Sequence, residues 1–173
     1  MPTNSGGRDM RWLMFVISAL VVVLDRVTKL WIVGHIRAGS AIVVIPRVFR
    51  LTHVLNTGAA FSLFADSTGP WKTALLIGFS AIALIVVLVL LWKNHHTHVA
   101  TGIGLSLIMG GALGNLWDRV VRGRVVDFLL FYVKRYQWPV FNLADSAIVV
   151  GAGLLVLEIL FHKGAAQEES NAN

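Results

Sequence analysis

The chain predicts an all-α integral membrane protein, with four transmembrane helices, a small β-sheet on the membrane surface and an amphipathic interfacial segment. Three observations lead there. First, 56% of the 173 residues are hydrophobic and only 14% charged, with a mean hydropathy of +0.72, whereas a soluble domain carries about a quarter charged residues. Second, the chain contains uncharged stretches of about 20 residues, the length that crosses a bilayer. Third, three of the four apolar segments carry polar residues near one end, and an up-and-down path brings those ends to one face of the membrane.

The candidate spans are residues 11–33, 73–92, 99–117 and 140–161, within a single domain of residues 1–163. The first is read as a retained span: its apolar run Trp12 to Leu24 leads into Asp25, Arg26 and Lys29, not into a small-residue cleavage site. The second, Thr73 to Trp92, has no ionisable residue and is expected to face lipid. The third ends on Asn115, Asp118 and Arg119, and the fourth begins with Asn142 and Asp145 behind Pro139, which suits a helix start. Of the connections, 34–72 holds Ile42 to Leu55, whose partial alternation around Pro46 predicts short strands. Residues 118–139 interleave basic residues with Val125, Phe128, Leu129, Phe131 and Tyr132, a pattern for an amphipathic interfacial segment. Residues 1–9 and 164–173 are expected as mobile tails.

The net charge of +6 points to an anionic lipid surface rather than nucleic acid, for which no motif is present. No cysteine is present, which excludes disulfides, thiolate ligands and a cysteine nucleophile. Lys and Arg are more numerous on the side of the long loops, so the positive-inside rule would place those loops in the cytoplasm. That rule loses weight if basic residues at the rim hold lipid phosphates.

Among the acids, Asp9, Glu168 and Glu169 fall in the tails, Asp66 in a loop, and Glu158 near the far end of the last span, where it can snorkel. Asp25, Asp118, Asp127 and Asp145 all map to one face of the membrane, and ionisable residues at spans are functional-site hypotheses by default. Asp25 and Lys29 are spaced as a helical ion pair that orders a helix end. Asn115, Asp118 and Arg119 share a helix face, and Gly110 with Gly114 forms a small-xxx-small pair for close helix approach. Asn142 and Asp145 repeat the Asn-x-x-Asp spacing, and the helix dipole accounts for an acid there. Asp127, inside Val125 to Leu130, has no such structural reason. If Asp127 folds back beside Asp145, two carboxyls share one proton in a water-poor site, as in an aspartic protease. His95, His96 and His98 are expected as solvated loop residues, with no metal and no cofactor. A four-span proton-coupled transporter, or a non-enzymatic scaffold, is the alternative from another class.

Five ordered blocks carry a family resemblance: Asp25-x-x-Thr28-Lys29; Asn56-Thr57-Gly58-Ala59-Ala60-Phe61; Gly110 through Arg119; Val125-Val126-Asp127-Phe128; and Phe141-Asn142-Leu143-Ala144-Asp145-Ser146. Together they closely resemble bacterial lipoprotein signal peptidase, signal peptidase II. The resemblance implies an inner-membrane aspartic endopeptidase that cleaves prolipoproteins on the amino side of a diacylglyceryl-modified cysteine. It implies Asp127 and Asp145 as the catalytic dyad, with Asp25, Lys29, Asn56, Gly58, Asn115, Asp118, Arg119 and Asn142 supporting or contacting substrate. It also implies cytoplasmic termini, a periplasmic active site, an extracytoplasmic sheet, phospholipid partners and cyclic-peptide inhibitors of the globomycin type.

Overall fold

The computed structural model describes residues 11–58, 70–93 and 99–171. Ala59 to Phe61, Asp9, Asp66 and the cluster His95, His96 and His98 lie outside them. In chain order the elements are α1 (Arg11–His35), β1 (Ala41–Ile45), β2 (Phe49–Asn56), α2 (Pro70–Lys93), α3 (Val99–Arg122), β3 (Val125–Val133), β4 (Tyr136–Gln137) and α4 (Leu143–Asn171).

Helix α3 is the hub, packing against α1, α2 and α4. Its buried face is mostly small or polar: Gly102, Gly104, Ser106, Gly110, Gly111, Gly114, Asn115 and Asp118. Lipid is as apolar as leucine, so helices in a membrane associate through close backbone packing and polar ties instead of apolar burial. A Cβ on Gly110 would come 2.7 Å from the Ser18 carbonyl oxygen of α1. On the other side, Gly104 and Gly151 bring α3 and α4 into backbone contact. Ser18 Oγ adds a hydrogen bond to the Ser106 carbonyl oxygen at 2.9 Å. At the far end of α4, Glu158 accepts from Thr101 Oγ of α3, so it finds a protein partner where snorkelling was expected.

Ala74–Lys93, Val99–Arg122 and Leu143–Phe161 are long and apolar enough to cross a membrane. Helix α1 is as long, but Asp25, Arg26 and Lys29 interrupt its apolar run.

The strands form one antiparallel sheet in the order β1-β2-β3-β4. Residues 118–139, read from the sequence as an amphipathic interfacial segment, divide between the end of α3 and strands β3 and β4. Helix α3 runs on through Arg122, Gly123 turns the chain at φ +67°, and the Val-, Phe- and Tyr-rich run that follows pairs with β2 as strand β3. Val126 and Phe128 pack on Ile32 and Ile36 at the end of α1, which fixes the sheet to the helices. The fourth helix also starts later than Pro139 suggests. The chain stays extended through Phe141, which bridges Leu129 of β3. Helix α4 then continues through Asn171, so most of the expected C-terminal tail is helical.

Candidate active site

The site forms where the ends of α1 and α3, the start of α4 and the near ends of β2 and β3 converge. Its geometry begins with the cap of α4. Asn142 Oδ1 accepts from the Asp145 backbone N–H at 2.9 Å, while Asp145 Oδ2 accepts from the Asn142 backbone N–H at 3.3 Å. This reciprocal pair is a capping box built from asparagine and aspartate. Satisfying a helix terminus thus sets the position of Asp145.

Asn142 has donors left over after capping. Its Nδ2 donates to Asp127 Oδ1 at 2.7 Å and to Asn115 Oδ1 at 3.2 Å. Asn115 Nδ2 in turn donates to Asp145 Oδ1 at 2.8 Å. One buried amide therefore holds Asp127 from β3 directly, and Asp145 through both its own backbone and Asn115. From β2, Asn56 Nδ2 donates to Asp127 Oδ2 at 2.8 Å, and Asn56 Oδ1 accepts from the Gly58 N–H at 2.7 Å.

Lys29 lies beneath this pair, fully buried. Its Nζ meets Asp25 Oδ2 at 2.8 Å, Asp118 Oδ2 at 2.9 Å and Asn115 Oδ1 at 3.0 Å. An ammonium only donates, so Asn115 must present its oxygen to Lys29 and its nitrogen to Asp145. Asp25 also accepts from the Ala144 N–H at 3.0 Å, giving α4 a second cap from α1. Arg119 donates to the carbonyl oxygens of Asn115, at 3.3 Å, and of Gly58, at 3.5 Å.

Asp127 is almost completely buried, and burial pushes its carboxyl up to about 6, with the nearby Asp145 charge adding to the rise. The Asn56 and Asn142 hydrogen bonds act against that shift. Asp145 is only partly buried. The pair therefore combines a carboxyl that keeps its proton well above the ordinary aspartate range with a second, more accessible one.

Every site residue expected from the sequence is drawn into this one connected network. Two participants were not anticipated. Arg26 reaches Asp118 Oδ1 at 3.1 Å, and Gly114 leaves room for Asp25, whose Oδ2 would lie 2.7 Å from a Cβ there. The small-xxx-small spacing marks Gly114 as a close approach, but nothing local reveals that the neighbour is a carboxylate. Among the described residues, no three His, Cys, Asp or Glu side chains group as metal ligands.

Fold and site thus define a membrane-embedded protein with a paired-carboxyl centre at one end of its helices. The family model for signal peptidase (SPase) II matches residues 17–161. Lipoprotein signal peptidase of Solibacter usitatus is 41% identical over 94% of this chain and 99% of its own length. That of Ectopseudomonas mendocina is 44% identical over 97% of this chain and 98% of its own. A bacterial membrane enzyme structure determined by the in meso method at 2.3 Å resolution superposes with a TM-score of 0.78, at 31% identity, covering 87% of this chain and 89% of the other. The chain belongs to the signal peptidase II family. The transporter alternative finds no support.

Proposed function

We propose that this protein is an aspartic endopeptidase that removes the signal peptide from diacylglyceryl-modified prolipoproteins, cutting on the amino side of the lipidated cysteine. The observation that carries the reading is the double tether on Asn142, which holds Asp127 and Asp145 in one hydrogen-bonded unit. Membership of a peptidase family whose curated relatives are lipoprotein signal peptidases supports the substrate class.

In this mechanism the ionised carboxylate of the pair takes a proton from water as the water oxygen bonds to the scissile carbonyl carbon. The protonated partner gives its proton to the carbonyl oxygen. Collapse of the tetrahedral intermediate breaks the C–N bond, and a carboxyl proton passes to the leaving amine. Asn56 holds Asp127, Gly58 bonds to Asn56 and Arg119 to Gly58, and these three are the residues we assign to holding substrate backbone. Four spans in the bacterial inner membrane, cytoplasmic termini and a site at the periplasmic surface complete the reading. A signal helix then meets the dyad where it leaves the bilayer. Cyclic peptides of the globomycin type would compete for the same site.

The test is cleavage of a lipidated prolipoprotein by purified wild type, Asp127→Asn and Asp145→Asn, with a non-lipidated substrate alongside. Each substitution should lower turnover by roughly a thousandfold or more in a protein that remains folded. Normal turnover by either variant removes the dyad assignment, and equal cutting of the non-lipidated substrate removes the lipid requirement.

A further inference from the structure

The sheet has a near end, at the dyad, and a far end formed by two hairpin turns. Far-end residues are neither catalytic nor packed on the helices. Phe49 of β2 packs tilted against Phe131 of β3 at 4.9 Å between ring centroids, and Phe131 stacks on Phe141 at 6.0 Å. Phe131, Val133, Tyr136, Trp138 and Phe141 line an open cavity of about 380 Å³. Four of these side chains, Phe131, Val133, Tyr136 and Trp138, are exposed. Strand β1 extends this face with Ile42 and Ile45, which pair with Leu51 and Phe49 and are exposed.

Cations stand around this apolar surface. Arg47 lies in the β1–β2 turn, and Lys134 and Arg135 lie in the β3–β4 turn. The two turns are joined, since the Arg47 N–H donates to Tyr132 Oη at 3.0 Å and the Arg50 guanidinium stacks over the Tyr132 ring at 4.1 Å. Arg47 has φ +68° and Lys134 φ +55°, the left-handed region, and among the described residues they are the only non-glycine residues found there. Glycine or asparagine would occupy such positions at lower cost. Both turns thus place a long cation where backbone preference disfavours one, at the same end of the same sheet, and strained positions of this kind point toward function.

We propose that the far end of the sheet is a binding site for an anionic phospholipid of the bilayer, its acyl chain on the aromatic cavity and its phosphate among Arg47, Lys134 and Arg135. A rigid aromatic floor with a cationic rim complements an amphiphile that has one apolar and one negative end. Strand β4 spans only Tyr136–Gln137, too short an edge to template an extended peptide at this cavity. The site requires the bilayer but not the dyad, so its failure and the failure of the peptidase reading are separable.

The test titrates the purified full chain, in non-ionic detergent, with an equimolar mixture of phosphatidylglycerol and phosphatidylcholine of matched chain length, counting retained lipids by native mass spectrometry. Each cation near a net-anionic headgroup is worth about fivefold, while the choline of phosphatidylcholine offsets its phosphate, so wild type should retain phosphatidylglycerol over phosphatidylcholine by tenfold or more. The triple variant Arg47→Gly, Lys134→Gly, Arg135→Gln should bring the ratio near one, and glycine removes the left-handed strain, so the turns keep their geometry. Trp138→Ser should lower retention of both lipids without changing their ratio. Equal retention by wild type, or an unchanged ratio in the triple variant, overturns the proposal. So does displacement of phosphatidylglycerol by a phosphate-free diacylglyceryl-cysteine peptide at equal concentration, which would assign the cavity to substrate lipid. If the triple variant does not fold, the wild-type ratio decides, since it should collapse toward one in about 1 M salt.

Discussion

Helices α2 and α3 have nearly the same length and opposite construction. The α2 span Ala74–Lys93 has a mean hydropathy of 3.1 and is mostly exposed, whereas Val99–Arg122 of α3 averages 1.5 and is half buried. In a soluble protein that ordering would be inverted. Lipid is the solvent here, so hydrophobicity identifies the outside, and small or polar residues identify the inside. Three members of the network around Asp127 and Asp145, namely Asn115, Asp118 and Arg119, therefore lie on the less hydrophobic helix, which α1, α2 and α4 all touch.

The sharpest break in this contrast comes from the buried charges. Lys29→Met leaves Asp25 and Asp118 without their shared cation and Asn115 without the donor that orients its amide. Breaking a buried pair in this way costs about 3–5 kcal/mol. Lys93→Met, at the exposed end of α2, should stay within about 0.5 kcal/mol. Thermal unfolding in detergent separates the two, and comparable losses would mean the network does not hold the bundle together.

Matched glycines sharpen the comparison at the next level. An added Cβ on Gly111 of α3 collides with the Ala144 carbonyl oxygen, a backbone atom that cannot yield without moving α4. Gly111→Ala should cost about 1–3 kcal/mol and lower peptidase activity with it. Gly78 of α2 has nothing within 4 Å of the same position, so Gly78→Ala should be neutral or stabilising by up to about 1 kcal/mol. Equal effects at the two sites would refute close α3–α4 packing as the source of stability.

A subtler expectation concerns pH. Asp127 holds its proton to about 6 in the folded protein, against an ordinary value of 3.8, so between these values the folded state binds more protons than the unfolded one. The associated stability is fully present below the unfolded value and is lost as the pH rises through about 6. Wild-type melting temperature should therefore carry a component that falls between pH 4 and pH 7, and Asp127→Asn should lack it. Parallel pH profiles would show that Asp127 is not the group responsible. Smallest of all should be Phe79→Ala, which removes a lipid-facing ring from α2 and should shift stability in detergent by no more than about 0.5 kcal/mol.

The sequence was most informative where spacing carries geometry. A spacing of four from Asp25 to Lys29 means one helix face, and the ion pair is there. Asn142-x-x-Asp145 is a local motif, and it closes locally as a capping box. Contacts that cross elements were visible as convergence on one face but not as partners. Nothing near Asn56 in the chain points to Asp127, because β2–β3 register brings them together. The interfacial-segment reading of 118–139 did not foresee its strands for a related reason. Interleaved basic and apolar residues suit either a surface helix or a strand, and only pairing with β2 decides between them.

Asp25 lies on α1 and caps α4, the later of the two in the chain, through the Ala144 N–H. Synthesis runs from the N-terminus, so that cap is among the final contacts to form. A nascent chain stopped after β3 already holds Asp127, but has neither its partner carboxyl nor the Asn142 amide that joins them. Assembly of the site therefore waits for the start of α4, and under the proposed dyad a copy stopped before it has no cutting power of its own. For a membrane-embedded peptidase this timing acts as a safeguard written into the connectivity.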